Sequence, residues 1–349
     1  MFWGGRIFGH FIHMFTHMYN NIITIESLLH AWQEFLPGKK NRADVMAFQN
    51  RLMNNICNLH RDLTDRTYRH GTYHAFNISD PKPRNIHKAT VRDRLLHHLV
   101  HAELYPYFDR QFIHDSYSCR IGKGTHKAME RFIDFGNTVS KNDTGGCWVL
   151  KCDIRKFFAN IDHTILKDIL ARHIKDQNLL QLLGGIIDSF STTDRIVVGL
   201  PLGNLTSQLL VNVYMNEFDN FMKRVLKVKY YIRYADDFVI FHRDSNYLKD
   251  LIPKISEFLE VKLKLSLHPD KVFIKTLGSG VDFLGWVHFP NHRVLRTTTK
   301  KRMMRTIKIK EGKKETVESY LGLLSHGNTY KLKKKVVGFV EELTKDAEK

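Results

Sequence analysis

Asp236 and Asp237 stand side by side in the stretch Tyr230-Tyr-Ile-Arg-Tyr-Ala-Asp-Asp-Phe-Val-Ile-Phe241, between two runs of β-forming residues. That pattern predicts neighbouring strands joined by a tight turn. Side chains alternate faces along a strand, so an Asp-Asp pair buried at the tip is costly unless cations neutralise it. Carboxylates supply the oxygen ligands that hard divalent ions require. Two such ions can hold a triphosphate for phosphoryl transfer. Aspartate is also common in solvated turns, and this stretch alone leaves both readings open.

The elements that must position such a pair belong to a chain of 349 residues, long enough for a sizeable core and two or three lobes. Hydrophobic residues make up 43% and charged residues 26%, as in an ordinary soluble globular protein. The charge balance is less ordinary: 54 Lys plus Arg against 36 Asp plus Glu, a net +18. A surplus of that size favours a polyanion, nucleic acid first and an anionic membrane surface second. Cys57, Cys119, Cys147 and Cys152 form no Cys-x-x-Cys pair. Free thiols in a reducing cytoplasm are therefore expected rather than a disulfide framework or a structural zinc site. The 20 histidines show no His-Glu-x-x-His spacing.

Residues 1–24 are rich in Phe, Ile and Met, but Arg6, His10, His13 and His17 interrupt them. No apolar run there is long enough to span a bilayer, and no small-residue cleavage site follows. The stretch is read as an N-terminal extension, non-native or disordered, with Met14 or Met18 as the true first residue. Residues 25–69 have helical spacing broken at Pro37-Gly38, and residues 71–86 form short extended pieces. A long helix is expected over Val91 to Phe108, ending near Pro106, and another over Ala128 to Phe135. Cys147 to Ile154 is β-like, Asp162 to His173 helical, Ile196 to Leu202 extended and Thr206 to Leu226 a long helix. After the Asp-Asp hairpin come a helix over Tyr247 to Lys262, a strand near Val272 to Lys275 and a hairpin around Val281 to Leu295. Lys300 to Lys314 is helical, with eight Lys or Arg against one acid, Glu311. Such a run is often only a solvated face.

Three separated segments together resemble the palm motifs of reverse transcriptases. Trp148 to Ile165, with Asp153 at its strand end, looks like the first; Gly199-Leu-Pro-Leu-Gly-Asn-Leu-Thr-Ser-Gln208 resembles the second; Tyr234-Ala-Asp-Asp237 is the third. The likeness extends to Pro81-Lys-Pro-Arg84, Thr90 to Arg94 and Val281 to Gly285, covering roughly residues 20 to 330. Leu202 and Gln208 stand where group II intron enzymes usually carry Gln and Pro. With Asp115 to His126, they resemble the reverse transcriptases of diversity-generating retroelements.

The resemblance implies an α/β (α+β) right-hand polymerase: fingers over residues 25–145, palm over 146–290 with a fingers element around 163–198, and a short helical thumb over 291–349. It implies that Asp153, Asp236 and Asp237 hold two Mg2+ ions about 3.5–4 Å apart, with the Ile154 carbonyl as a further ligand. The alternative for Asp153 is a helix cap or an ion pair with Lys151 or Arg155. Phe158 falls where related enzymes place an aromatic gate against the sugar 2′-hydroxyl, and one ring of the Phe157-Phe158 pair is expected in the core. Lys82 and Arg84 would contact the triphosphate, Arg84 the better suited because a guanidinium fork matches phosphate oxygens. Gly203 would let backbone approach the nascent base pair. Leu202 and Gln208 would border the nucleotide and loosen fidelity at template adenines; Gln208 alternatively bonds only within the palm. Lys271 matches a lysine that donates a proton to pyrophosphate or contacts phosphate.

The implied activity is RNA-directed DNA synthesis by a cytoplasmic bacterial or phage enzyme, with template RNA, cDNA primer or product and dNTPs as partners. The implied setting adds a template-repeat RNA, adenine-mutagenised cDNA and a small basic oligomeric accessory protein, with no membrane. The alternatives are an ordinary or phage-defence reverse transcriptase of group II intron descent, and a catalytically inactive RNA-binding scaffold.

Overall fold

The computed structural model describes residues 18–79, 83–192 and 197–347. Four helices come first: α1 (Met18–Ile22), α2 (Ile25–Phe35), α3 (Ala43–Gln49) and α4 (Leu52–Thr64). A hairpin of β1 (His74–Ile78) and β2 (Arg84–Lys88) follows, then α5 (Val91–Gln111) and α6 (Thr125–Ser140). Strand β3 (Trp148–Asp153) leads through a short 3-10 turn at Phe157–Asn160 into α7 (His163–His173), α8 (Gln177–Asp188) and α9 (Leu205–Asn220). Next are β4 (Tyr231–Tyr234), β5 (Asp237–His242), α10 (Ser245–Leu263) and β6 (Phe273–Thr276). Strands β7 (Val281–Phe283), β8 (Trp286–His288) and β9 (Arg293–Leu295) precede α11 (Thr297–Ile309), α12 (Lys314–Leu324) and α13 (Tyr330–Ala347).

All strand pairs are antiparallel, in sheets ordered β1-β2, β4-β5-β3-β6 and β7-β8-β9. This mixed architecture agrees with the α+β expectation. The four-stranded sheet is buried on both faces. Leu150, Cys152, Tyr231, Phe238 and Ile240 pack against helices on one side, within the largest core cluster. Val149, Ile232, Val239 and Phe241 face the other way, onto Phe132 and Phe135 of α6. A third cluster around Trp286, Met303, Ile307 and Leu324 joins the last sheet to α11–α13.

Side-chain caps explain where several helices begin. The hydroxyl of Thr90 accepts from the Asp93 amide and donates to the Asp93 carboxylate, which also takes the Tyr68 hydroxyl at 2.6 Å. Asp162 caps α7, Asp176 caps α8 and Asp244 caps α10.

Several expectations change; residues 197–202, expected to be extended, form no strand, only an isolated bridge from Val198 to Asp162. Helix α5 does not end near Pro106 but runs to Gln111. A proline inside a helix costs roughly 3 kcal/mol, and burial of Leu104, Tyr105 and Phe108 around it outweighs that cost. Residues 18–24 are not a loose extension either. Tyr19, Ile22 and Ile23 are buried, the Tyr19 amide donates to Asp176 at 2.8 Å, and its hydroxyl donates to the Leu63 carbonyl at 2.6 Å. Residues 1–17 lie outside the described residues. Among the described residues, no helix is long and apolar enough to cross a membrane.

Candidate active site

Strand register brings the first acid to the tandem pair. Asp153, the last residue of β3, is the cross-strand partner of Asp237, the first residue of β5. Directly opposed residues in an antiparallel pair have Cα atoms about 4.5–5.5 Å apart and side chains on the same face. Asp236 occupies the two-residue turn before β5, and its carbonyl accepts from the Ile154 amide at 3.1 Å. Asp153, Asp236 and Asp237 are thus gathered at one end of the sheet, all half-buried.

Two ammonium groups lean on this cluster. Lys151 lies two residues before Asp153 on the same face of β3, diagonal to Asp237, and its Nζ is 3.3 Å from Asp237 Oδ2. The β3–β6 pairing matches Lys151 to Phe273, and continuing that register past the strand end sets Lys271 opposite Asp153. Lys271 Nζ indeed donates to Asp153 Oδ1 at 2.9 Å. Asp153 therefore pairs with Lys271 rather than with Lys151 or Arg155, and it caps no helix.

The electrostatics are left incomplete at one atom. Asp237 Oδ1 is buried with no hydrogen-bond partner. Its carboxyl is pushed up to about 7, chiefly by burial; Lys151 pulls it down, while the charges of Asp236 and Asp153 push it further up. An orphaned carboxylate oxygen beside two more acids fits a divalent cation. Among the described residues, no group of three or more His, Cys, Asp or Glu closes into a metal cage. Magnesium commonly binds through one or two carboxylates plus waters and substrate phosphates, so an open set of this kind suits it. Asp153, Asp236 and Asp237 would hold such ions, which would activate the attacking oxygen and stabilise the leaving group.

Several of the other expected residues meet around the glycine-containing loop. Phe157 is buried and is the core member of the pair, while Phe158 is half-buried, meeting it edge-on at 5.5 Å. The Phe158 carbonyl accepts from the Leu200 amide at 2.8 Å, which fastens the glycine-containing loop beside it. The Leu202 carbonyl accepts from the His87 amide at 3.1 Å, and Asn204 Nδ2 donates to the His87 carbonyl at 2.9 Å. Gly203 has φ +103, and a Cβ there would lie 2.9 Å from Ile86 Cγ2. Only glycine satisfies both the backbone conformation and that approach. The loop is thereby latched to β2, which carries Arg84, exposed at its start. Gln208 is half-buried near the beginning of α9, on a different element from the carboxylates. Lys82 lies outside the described residues.

A buried ion pair that the sequence does not announce lies beneath the turn. Arg233 and Asp219 are fully buried and joined at 2.6 Å, with Asn212, Ser116 and Tyr231 around them. The available signal was Arg233 inside a β-forming run and Asp219 on the helix face that also carries Met215, Phe218 and Met222.

The reverse transcriptase (RNA-dependent DNA polymerase) family profile matches residues 79–288, more than half of the chain. The chain is similar to Protein YkfC of Escherichia coli (strain K12), 27% identical over 272 residues, covering 66% of this chain and 68% of that protein. It is also similar to the group II intron-encoded protein LtrA of Lactococcus lactis subsp. cremoris, 24% identical over 291 residues, covering 63% of this chain but only 46% of LtrA. Among solved structures, telomerase from Candida albicans in complex with a TWJ fragment of telomeric RNA superposes with a TM-score of 0.50 at 11% identity. That match covers 71% of this chain and 51% of the telomerase chain, and it is a likeness of fold.

Proposed function

This chain belongs to the reverse transcriptase family, and on that premise we propose that it is an RNA-directed DNA polymerase whose reaction centre is Asp153, Asp236 and Asp237. The observation that carries the reading is the cross-strand pairing of Asp153 with Asp237, which leaves a buried Oδ1 unpartnered among three acids. With Mg2+ bound there, the site would join a primer 3′-hydroxyl to the α-phosphorus of a dNTP. Phe158 would lie under the nucleotide sugar, Arg84 and Lys82 would meet the triphosphate, and Lys271, already beside Asp153, would donate a proton to the departing pyrophosphate or contact phosphate. Residues 25–145 would act as fingers, 146–290 as palm and 291–349 as thumb. The net charge of +18 suits a template RNA and a cDNA strand. RNA-templated primer extension with dNTPs and Mg2+ tests this reading: activity is expected in the wild type and not in Asp236→Asn. An inactive wild type supplied with primer, template and metal counts against it.

We further propose that the enzyme serves a diversity-generating retroelement, copying a template-repeat RNA with errors at adenines, in a bacterium or its phage and beside a small basic accessory protein. Leu202 and Gln208 support this, because a looser hold on the templating pair lowers discrimination tenfold for each ~1.4 kcal/mol lost. The likeness to LtrA favours a second reading, a group II intron-derived reverse transcriptase of ordinary fidelity. Sequencing cDNA made on an adenine-rich RNA separates them: substitutions concentrated opposite adenine support the first, and an even, low error spectrum supports the second.

A further inference from the structure

Arg233 lies wholly inside the protein, on the sheet face opposite the carboxylates, paired in register with Phe238. A guanidinium carries five N–H donors in a rigid plane and accepts nothing. Here every donor is met. Nε donates to Asp219 Oδ1 at 2.8 Å and Nη2 to Asp219 Oδ2 at 2.6 Å, a two-point fork. Nη2 also donates to Ser116 Oγ at 3.1 Å. Nη1 donates to Asn212 Oδ1 at 3.3 Å and to the backbone carbonyl of Ala235 at 3.1 Å.

That last contact reaches the turn that carries the acids. Ala235 has φ +55, a left-handed conformation that residues with a Cβ seldom adopt. Such conformations persist where the surroundings over-determine them. The backbone of Arg233 adds two bonds: its amide donates to the Asp115 carbonyl, and its carbonyl accepts from the Tyr117 amide, each at 3.0 Å. One residue therefore ties together segment 115–117, helix α9 behind the Gly203 loop, and the Ala235-Asp236 turn.

We propose that Arg233 is a positioning residue for phosphoryl transfer: its guanidinium, held by Asp219, Asn212 and Ser116, fixes the Ala235 carbonyl and so aims Asp236 and Asp237. The inference rests on the reading of those acids as the reaction centre. Lysine keeps the charge but lacks the planar fork, so Arg233→Lys separates geometry from electrostatics.

The experiment compares wild type, Arg233→Lys, Ser116→Ala and Asp236→Asn in RNA-templated primer extension. Thermal unfolding and an EPR titration of Mn2+ without nucleotide accompany it. Arg233→Lys is expected to fold, to lower kcat about tenfold with dNTP KM within about threefold, and to bind Mn2+ more weakly. Ser116→Ala leaves the ion pair intact and is expected to show the same kcat-against-KM split at about threefold. Wild-type kcat in folded Arg233→Lys overturns the proposal, as does a loss of activity that merely follows the unfolded fraction. If Arg233→Lys does not fold, Ser116→Ala decides by the same criterion. An inactive wild type, by contrast, defeats the polymerase reading itself.

Discussion

The two faces of the hairpin over residues 231–242 treat charge in opposite ways. On one, Arg233 and Asp219 are sealed from solvent and every guanidinium donor is met. On the other, Asp237 keeps a buried oxygen without a partner and has one ammonium, Lys151, against two repelling acids. A buried charge persists where it is paired and fully hydrogen-bonded. The saturated face meets that condition by itself and holds the turn still. The unsaturated face does not meet it by itself: the charged Asp237 carboxylate keeps one oxygen unpartnered beside two further acids. The alternation of a single strand-turn-strand unit thus separates the buried ion pair from the proposed reaction centre.

Removing the unsatisfied charge should have the largest effect. Asp237→Asn is expected to lower primer extension by about three orders of magnitude, measured by single-turnover kinetics. Its cation-free fold should nonetheless be more stable than wild type. An Asn variant that loses activity and stability together would make Asp237 a structural residue.

On the saturated face the sign reverses. Asp219→Asn leaves Arg233 charged and unpaired in the interior, which is expected to cost about 3–5 kcal/mol in urea denaturation. Replacing both, as Arg233→Met with Asp219→Leu, should recover most of that stability but not the activity.

The pH dependence follows from the raised Asp237 pKa, about 7 against roughly 3.9 for an unperturbed aspartate. The native state then holds this proton more tightly than the unfolded chain. Its contribution to stability is fully present below about pH 4 and is lost as the pH climbs to about 7. The difference in melting temperature between cation-free wild type and Asp237→Asn should therefore widen across that window, corresponding to about 2–4 kcal/mol. Added Mg2+ should close the gap at neutral pH. The smallest expected effect is at the latch: Gly203→Ala forces a Cβ into a left-handed position against Ile86, for a loss of about 1–2 kcal/mol and a raised dNTP KM.

Much of this was legible in the residues. The alternation around Asp236 and Asp237 implied the hairpin, and β4 and β5 flank those acids as expected. The strand ending at Asp153 followed from the β-rich run over residues 147–154. The long helix α9, the last hairpin and the basic helix near residue 300 also fall where the periodicity put them. What was not legible depends on distant partners. Proline signals a helix end locally, but burial on both sides of Pro106 decided otherwise. Tyr19 looked like part of a loose extension because its anchors, Asp176 and Leu63, are far away in the chain. The Arg233–Asp219 pair was hidden for the same reason. The motif marks Lys271 as a proton donor to pyrophosphate or a phosphate contact, but only the strand register places it opposite Asp153.

A shared cation site on Asp153, Asp236 and Asp237 is tested by counting Mn2+ bound per chain by EPR, with primer-template and an incoming nucleotide present. Two ions are expected in the wild type, with at least one lost in both Asp153→Asn and Asp237→Asn. An unchanged count in both variants would contradict a shared cation site built on these acids.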